Sequence, residues 1–199
     1  MKKLTATLLA AGVIAGAGMI APAMADGPKT NISFVSDYIF RGVSQTLNTA
    51  AVQGGLDWES GDVSYGIWGS AFAIGSEIDL YANYKLGPVS VGAIYYWYPL
   101  VDKLGLPISA AEINVGGDLG PVSLMASLGE NSYYYAEAGY SMEVTKGMSL
   151  DLHVGVDNSS NSDYSVGIGT SAGGVDLGLT AANHSLTGSV FAVSIGKAM

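Results

Sequence analysis

From residue 30 onward, apolar side chains return at every second position. Ile78, Leu80, Ala82 and Tyr84 alternate with Glu77, Asp79, Tyr81 and Asn83. Met148, Leu150, Leu152, Val154 and Val156 enclose Ser149, Asp151, His153 and Gly155, and residues 111–119 repeat the pattern around Glu112, Asn114, Gly116 and Asp118. A helix would scatter these charges around its axis, whereas a strand gathers them on one face. Tight Gly-containing turns punctuate the pattern at 59–62, 86–88, 119–121, 145–147 and 172–174. More varied polar connections at 42–50, 73–76, 99–109, 130–132, 157–162 and 184–188 alternate with them. The predicted strands cover 31–41, 50–58, 62–72, 77–85, 89–98, 109–118, 122–129, 133–144, 148–156, 163–171, 175–183 and 189–197. Ten strands is the alternative count, since the hairpins near 70–77 and 128–133 are the least marked.

Short turns alternating with longer loops predict an all-β fold, a transmembrane antiparallel up-and-down β-barrel of about 12 strands. Composition changes the picture in one respect. Hydrophobic residues make up 49% of the chain and charged residues 13%, against roughly 25% charged in a typical soluble domain. Mean hydropathy is above zero, although no long apolar run follows residue 25. A lipid-exposed barrel needs no such run, because its apolar surface comes from alternate residues. A soluble barrel or sandwich would also alternate, but it would carry Lys and Arg on its outer faces. Tyr95-Tyr96-Trp97-Tyr98 and Tyr133-Tyr134-Tyr135 gather at strand ends, where an aromatic girdle is expected.

The N-terminus has the layout of a cleaved secretory signal peptide. Lys2 and Lys3 precede an apolar stretch from Leu4 to Ile20, and Ala23-Met24-Ala25 offers a small-x-small cleavage site. Residues 1–25 are therefore expected to be removed, leaving 26–199 as the barrel domain. Cleavage leaves 6 basic residues against 17 acidic ones, a net charge of −11. Nucleic acid is an unsuitable partner for such a chain. The absence of Cys excludes a disulfide framework and a lipidated N-terminal Cys.

Residues 31–46, NISFVSDYIFRGVSQT, resemble the opening of the TorF-type porin family of proteobacteria. Ala51 to Asp57, Gly66 to Ser70, Glu77 to Tyr81 and Tyr95 to Pro99 extend the likeness, with weaker echoes at 132–135, 152–155 and 163–167. The resemblance implies an outer-membrane barrel with pore activity. One departure concerns the C-terminus. Such barrels commonly end in an aromatic residue read by the barrel-assembly machinery, and this chain ends Gly196-Lys197-Ala198-Met199.

If the apolar parity faces outer-membrane lipid, the opposite parity lines the lumen. The expected pore-lining set is Asp37, Arg41, Asp57, Glu77, Asp79, Glu112, Asp118, Glu137, Glu143, Asp151 and Asp176, with Lys85 near a turn. A ring of carboxylates attracts cations. Arg41, the single arginine, shares strand parity with Asp37 and faces the next strand's Asp57, either of which is a candidate for a bidentate pair. The 99–109 loop is a candidate inward constriction. Asp157 to Asp163 spaces oxygens like a calcium loop but has Ser162 where Gly is needed and Ile168 where Glu is needed. His153 and His184 are the only histidines, and a hydrolase would need His153 to combine with a lumen Ser and Asp151. The expected function is passive, cation-preferring diffusion of small hydrophilic solutes, with no enzyme activity, cofactor or metal. The alternative is a non-conducting barrel with a structural, adhesive or loop-binding role.

Overall fold

In the computed structural model, which describes residues 28–73, 75–103 and 110–199, twelve strands close into one antiparallel barrel. The wall strands are β1 (Lys29–Val35), β4 (Ala51–Ser60), β5 (Val63–Phe72), β6 (Gly75–Leu86), β7 (Val89–Trp97) and β8 (Ala110–Leu119). They continue as β9 (Val122–Gly129), β10 (Tyr134–Thr145), β11 (Met148–Asp157), β12 (Ser162–Ala172), β13 (Val175–His184) and β14 (Gly188–Ala198). Each pairs with its chain neighbour in the wall, and β1 closes on β14 through pairs such as Asn31–Ala198 and Phe34–Ile195. Thr30 and Met199 exchange both backbone hydrogen bonds at the seam, at 3.1 and 2.8 Å. Closure leaves no wall strand among the described residues with an unpaired edge.

The alternation sorts side chains as the sequence predicts. Phe34, Leu80, Val115, Leu152, Val154, Ile168, Leu179, Phe191 and Val193 point outward and are exposed. Gln53, Ser70, Glu77, Asp79, Glu112, Ser127, Asp163 and Thr180 point inward and are buried. The exterior is thus apolar and the interior polar, the reverse of a water-soluble core. The predicted signal peptide lies outside the described residues.

Three features depart from the sequence prediction. The first wall strand ends at Val35, where a strand to residue 41 is expected, and the chain then turns into the barrel. There it forms a small hairpin of β2 (Ile39–Phe40) and β3 (Val43–Ser44). The inward segment is thus 36–50. Of the 99–109 loop, residues 99–103 form a short helix, α1 (Pro99–Lys103), packed beside β6, and 104–109 lie outside the described residues. Finally, the tyrosine clusters divide by parity. Tyr95, Trp97 and Tyr134 face outward, whereas Tyr96 and Tyr135 are buried inside. Consecutive residues of a strand point to opposite faces, so no such run belongs wholly to a girdle.

Candidate functional site in the barrel lumen

The inward hairpin is built by local polar chemistry. The Asp37 carboxylate accepts hydrogen bonds from Ser44 Oγ at 2.6 Å and Thr46 Oγ1 at 2.7 Å. Thr46 Oγ1 accepts the Tyr38 N–H at 3.2 Å, and the Gln45 N–H donates to the Tyr38 carbonyl at 2.7 Å. Arg41 and Gly42 form a two-residue tip with φ of 47° and 74°, the backbone of a tight type I′ hairpin. Apolar contacts hold the hairpin against the wall. Ile39 packs on Ala182, Val190 and Ala192 of β13 and β14. Tyr38 joins Val35 and Ala51, flanked by Phe40, Trp68 and Phe72, with its ring 5.4 Å from that of Trp68.

From the tip, Arg41 reaches across to the far wall. Its Nη1 and Nη2 donate to the two carboxylate oxygens of Glu112 on β8, each at 2.8 Å, and Nη1 also donates to the Tyr133 hydroxyl at 3.2 Å. The guanidinium lies over the rings of Tyr135 at 4.2 Å and Phe40 at 4.7 Å. Burial opposes the Arg41 charge, but the paired Glu112 carboxylate holds its pKa above the ordinary value. Gly42 rests on the wall so closely that an added Cβ would come within 2.6 Å of Asp163 Cβ and 2.9 Å of the Asn183 carbonyl. The hairpin therefore spans the lumen from β1 to both β8 and the β12–β13 pair.

The eleven residues expected to line a pore divide by depth. Asp37, Glu77, Asp79 and Glu112 are buried. Asp57, Glu137, Asp151 and Asp176 are partly covered; Asp57 accepts the Tyr81 hydroxyl and Asp176 the Ser171 hydroxyl. Asp118 and Glu143 are exposed near the short turns, and Glu143 accepts the Gly147 N–H at 2.8 Å. Arg41 pairs with Glu112, not with Asp37 or Asp57. The inward turn takes it off the strand face it was expected to share with Asp37, and Asp37 is already held by the hairpin's own hydroxyls.

The structure also assembles residues that parity alone did not single out. His153 Nε2 lies 2.9 Å from Asp163 Oδ1, the Tyr135 hydroxyl donates to Asp163 Oδ2 at 2.7 Å, and His153 Nδ1 faces Glu137 at 3.8 Å. Asp163, the first residue of the predicted strand 163–171, is the second residue of β12 and is buried on its inward face. Asp151, expected beside His153 in a hydrolase arrangement, instead accepts Ser149 Oγ at 3.0 Å. Asp157 closes its own turn, accepting the N–H groups of Ser159 and Asn161 at 2.8 and 2.9 Å. Between the hairpin tip and the β10–β13 wall lies a cavity of about 220 Å³ lined by Phe40, Arg41, Tyr133, Tyr135, Asp163 and His184, among others. Among the described residues, no cluster of three or more His, Cys, Asp or Glu side chains is arranged to hold a metal ion.

Comparison with known proteins gives one family and several folds. A family model described as "Bacterial protein of unknown function (Gcw_chp)" matches residues 22–190. No curated protein sequence matches the chain. Among solved structures, the outer membrane protein Omp33 of Acinetobacter baumannii superposes with a TM-score of 0.56 at 10% identity, covering 85% of this chain and 97% of that one. The KdgM porin, solved in complex with disordered oligogalacturonate, gives 0.54 at 8% identity, with the same coverage of 85% and 97%. At such identities the likeness is one of fold, a closed antiparallel barrel of matching size.

Proposed function

This chain belongs to the Gcw_chp family of bacterial proteins of unknown function, and from that premise we propose that it is a small porin-like barrel of a Gram-negative outer membrane. It is exported behind the 1–25 signal peptide and passes small hydrophilic solutes, cations in preference to anions, through a lumen narrowed by the 36–50 hairpin. The observation that carries this reading is the inversion of the faces: an apolar exterior around an interior bearing Asp57, Glu77, Asp79, Glu112, Glu137 and Asp163. Carboxylates in a low-dielectric lumen favour cations and repel anions. The TorF-type motifs at 31–46 and the porin folds it resembles point the same way. The oligogalacturonate seen with KdgM is a polyanion, which this acidic interior would repel.

A second reading, a barrel closed at rest, is favoured by the depth of the hairpin: Tyr38 and Ile39 are each 1% exposed, and Thr46 is fully buried. Conductance of the refolded mature barrel in a planar bilayer under a salt gradient separates the two. The porin reading expects small steps with a cation-selective reversal potential, and larger steps when 36–50 is replaced by a short turn. Silence in the intact barrel with conduction after hairpin removal identifies a closed resting state. Silence in both favours the structural role, and anion selectivity rejects the acidic lumen.

A further inference from the structure

On the inner wall of β4–β6, two strands from the Glu112 partner of Arg41, four buried polar side chains gather. Gln53 on β4 stands beside Ser70 on β5, and Ser70 stands beside Glu77 on β6. Asp79, two residues further along β6, shares the inward face with Glu77. Their exposures are 4%, 3%, 2% and 1%. Gln53 Nε2, Ser70 Oγ, Glu77 Oε2 and Asp79 Oδ1 are all buried with no hydrogen-bond partner. The other oxygen of Glu77 accepts the Tyr98 hydroxyl at 3.0 Å, and the Tyr38 ring of the hairpin lies 5.4 Å from that of Trp68, the cross-strand partner of Asp79.

Buried polar atoms are normally paired, and an unpartnered one costs about 1–3 kcal/mol. Three of these four atoms are oxygens, two of them on carboxyls two residues apart on β6, and Ser70 and Gln53 continue the row from Glu77 across β5 and β4. Neither carboxyl forms an ion pair with Lys, Arg or His among the described residues, where Arg41 serves Glu112 and His153 faces Glu137 and Asp163. Two adjacent buried carboxylates need either a shared proton or a cation. The neutral members of the row distinguish these cases. A shared proton would satisfy only the carboxyls, whereas a cation would also use Ser70 Oγ and the Gln53 amide. Exchanging the two amide ends of Gln53, which have nearly the same shape, brings its carbonyl oxygen into the row.

We propose that Gln53, Ser70, Glu77 and Asp79 form a binding site for a divalent cation of the calcium class, roofed by Tyr38 of the inward hairpin. Two carboxylates match its charge, and an all-oxygen donor set that includes neutral groups suits a hard ion accepting six to eight oxygens, with water completing the shell. The site deepens the acidic-lumen reading and rests on it. It does not require the barrel to conduct. Binding under the hairpin would tie Tyr38, and with it the constriction, to the β4–β6 wall.

The test uses the refolded mature barrel in detergent micelles. Millimolar Ca²⁺ should raise its melting temperature by several degrees over NaCl of equal ionic strength. Glu77→Gln and Asp79→Asn should each abolish the rise, while Glu143→Gln, at an exposed position near the end of β10, keeps it. Tb³⁺ gives a readout that does not depend on variants folding. Trp68 pairs with Asp79 across β5 and β6, so bound Tb³⁺ should show indole-sensitised emission that Ca²⁺ quenches by competition. An equal rise in NaCl, a rise that survives both substitutions, or absent sensitised emission overturns the site and leaves a shared proton. A barrel that binds Ca²⁺ but is silent in bilayers keeps the site and loses the pore; one that conducts without binding does the reverse.

Discussion

Arg41 is the chain's single arginine, and its two parallel bonds to Glu112 are the polar attachment of the hairpin tip to the far wall. Its side chain retains 15% exposure and that of Glu112 7%, so the pair is close to the buried limit. Removing one partner of such a pair costs about 3–5 kcal/mol, because the other charge remains without compensation. Arg41→Ala is expected to lower unfolding stability by about that amount, read from urea titration in lipid vesicles. Arg41→Lys keeps the charge but not the planar fork, and should fall between the two. The sequence singles out Arg41 as the one arginine among acids, but the strand parity used to place it does not apply, because the chain leaves the wall at Val35. Its partner was not legible. Glu112 is 71 residues away, and the pairing depends on the chain leaving the wall at Val35. The local signs of that departure were the Arg-Gly dipeptide, suited to a two-residue turn, and hydroxyls at 44 and 46 within reach of Asp37.

The hairpin as an element depends on Asp37, which takes hydrogen bonds from Ser44 and Thr46 and so ties its entering and leaving strands together. Asp37→Ala frees both hydroxyls, and Thr46 is fully buried. Amide hydrogen exchange over 38–47 should accelerate by at least tenfold, while the wall ladders of β9–β13 stay protected. An unchanged exchange rate would mean that the apolar contacts of Ile39 and Tyr38 suffice. Wall strands were largely readable, because strict alternation across a two-faced wall leaves only one register that keeps charge out of lipid. The first strand was not, because 36–41 is also apolar-rich: Tyr38, Ile39 and Phe40 pack inside the barrel rather than against lipid, and periodicity does not distinguish those destinations. His153 and Asp163 show the same limit. Their parity was available, but their meeting with Tyr135 depends on the registers of β10 with β11 and β11 with β12.

At the scale of the whole molecule, the outward face should tolerate apolar exchange and resist charge. Leu152, near the middle of β11, is 41% exposed on that face. Leu152→Arg should reduce folding stability in lipid vesicles by about 2–4 kcal/mol. In detergent micelles, where a flexible surface adapts around the charge, the loss should be smaller. Equal losses in both would place Leu152 against protein instead of lipid. The barrel class was the most legible property of all. It follows from composition and period together, the shortage of Lys and Arg excluding a soluble sheet and the absence of long apolar runs after residue 25 excluding helical spans.

The hairpin begins one residue after β1, yet Ile39 and Gly42 rest on β12, β13 and β14, the last strands to be made. The seam between the chain's first and last strands is therefore fastened twice, by the β1–β14 ladder in the wall and by the hairpin across the inside. In time as well as space, the two fastenings are coupled. The segment that fills the cylinder meets partners 121 to 153 residues further along the chain, Gly42 against Asp163 and Ile39 against Ala192, and it can seat only as the cylinder shuts. Closing and filling then become a single late event, and a barrel forced open at its seam must withdraw its stopper with the same motion.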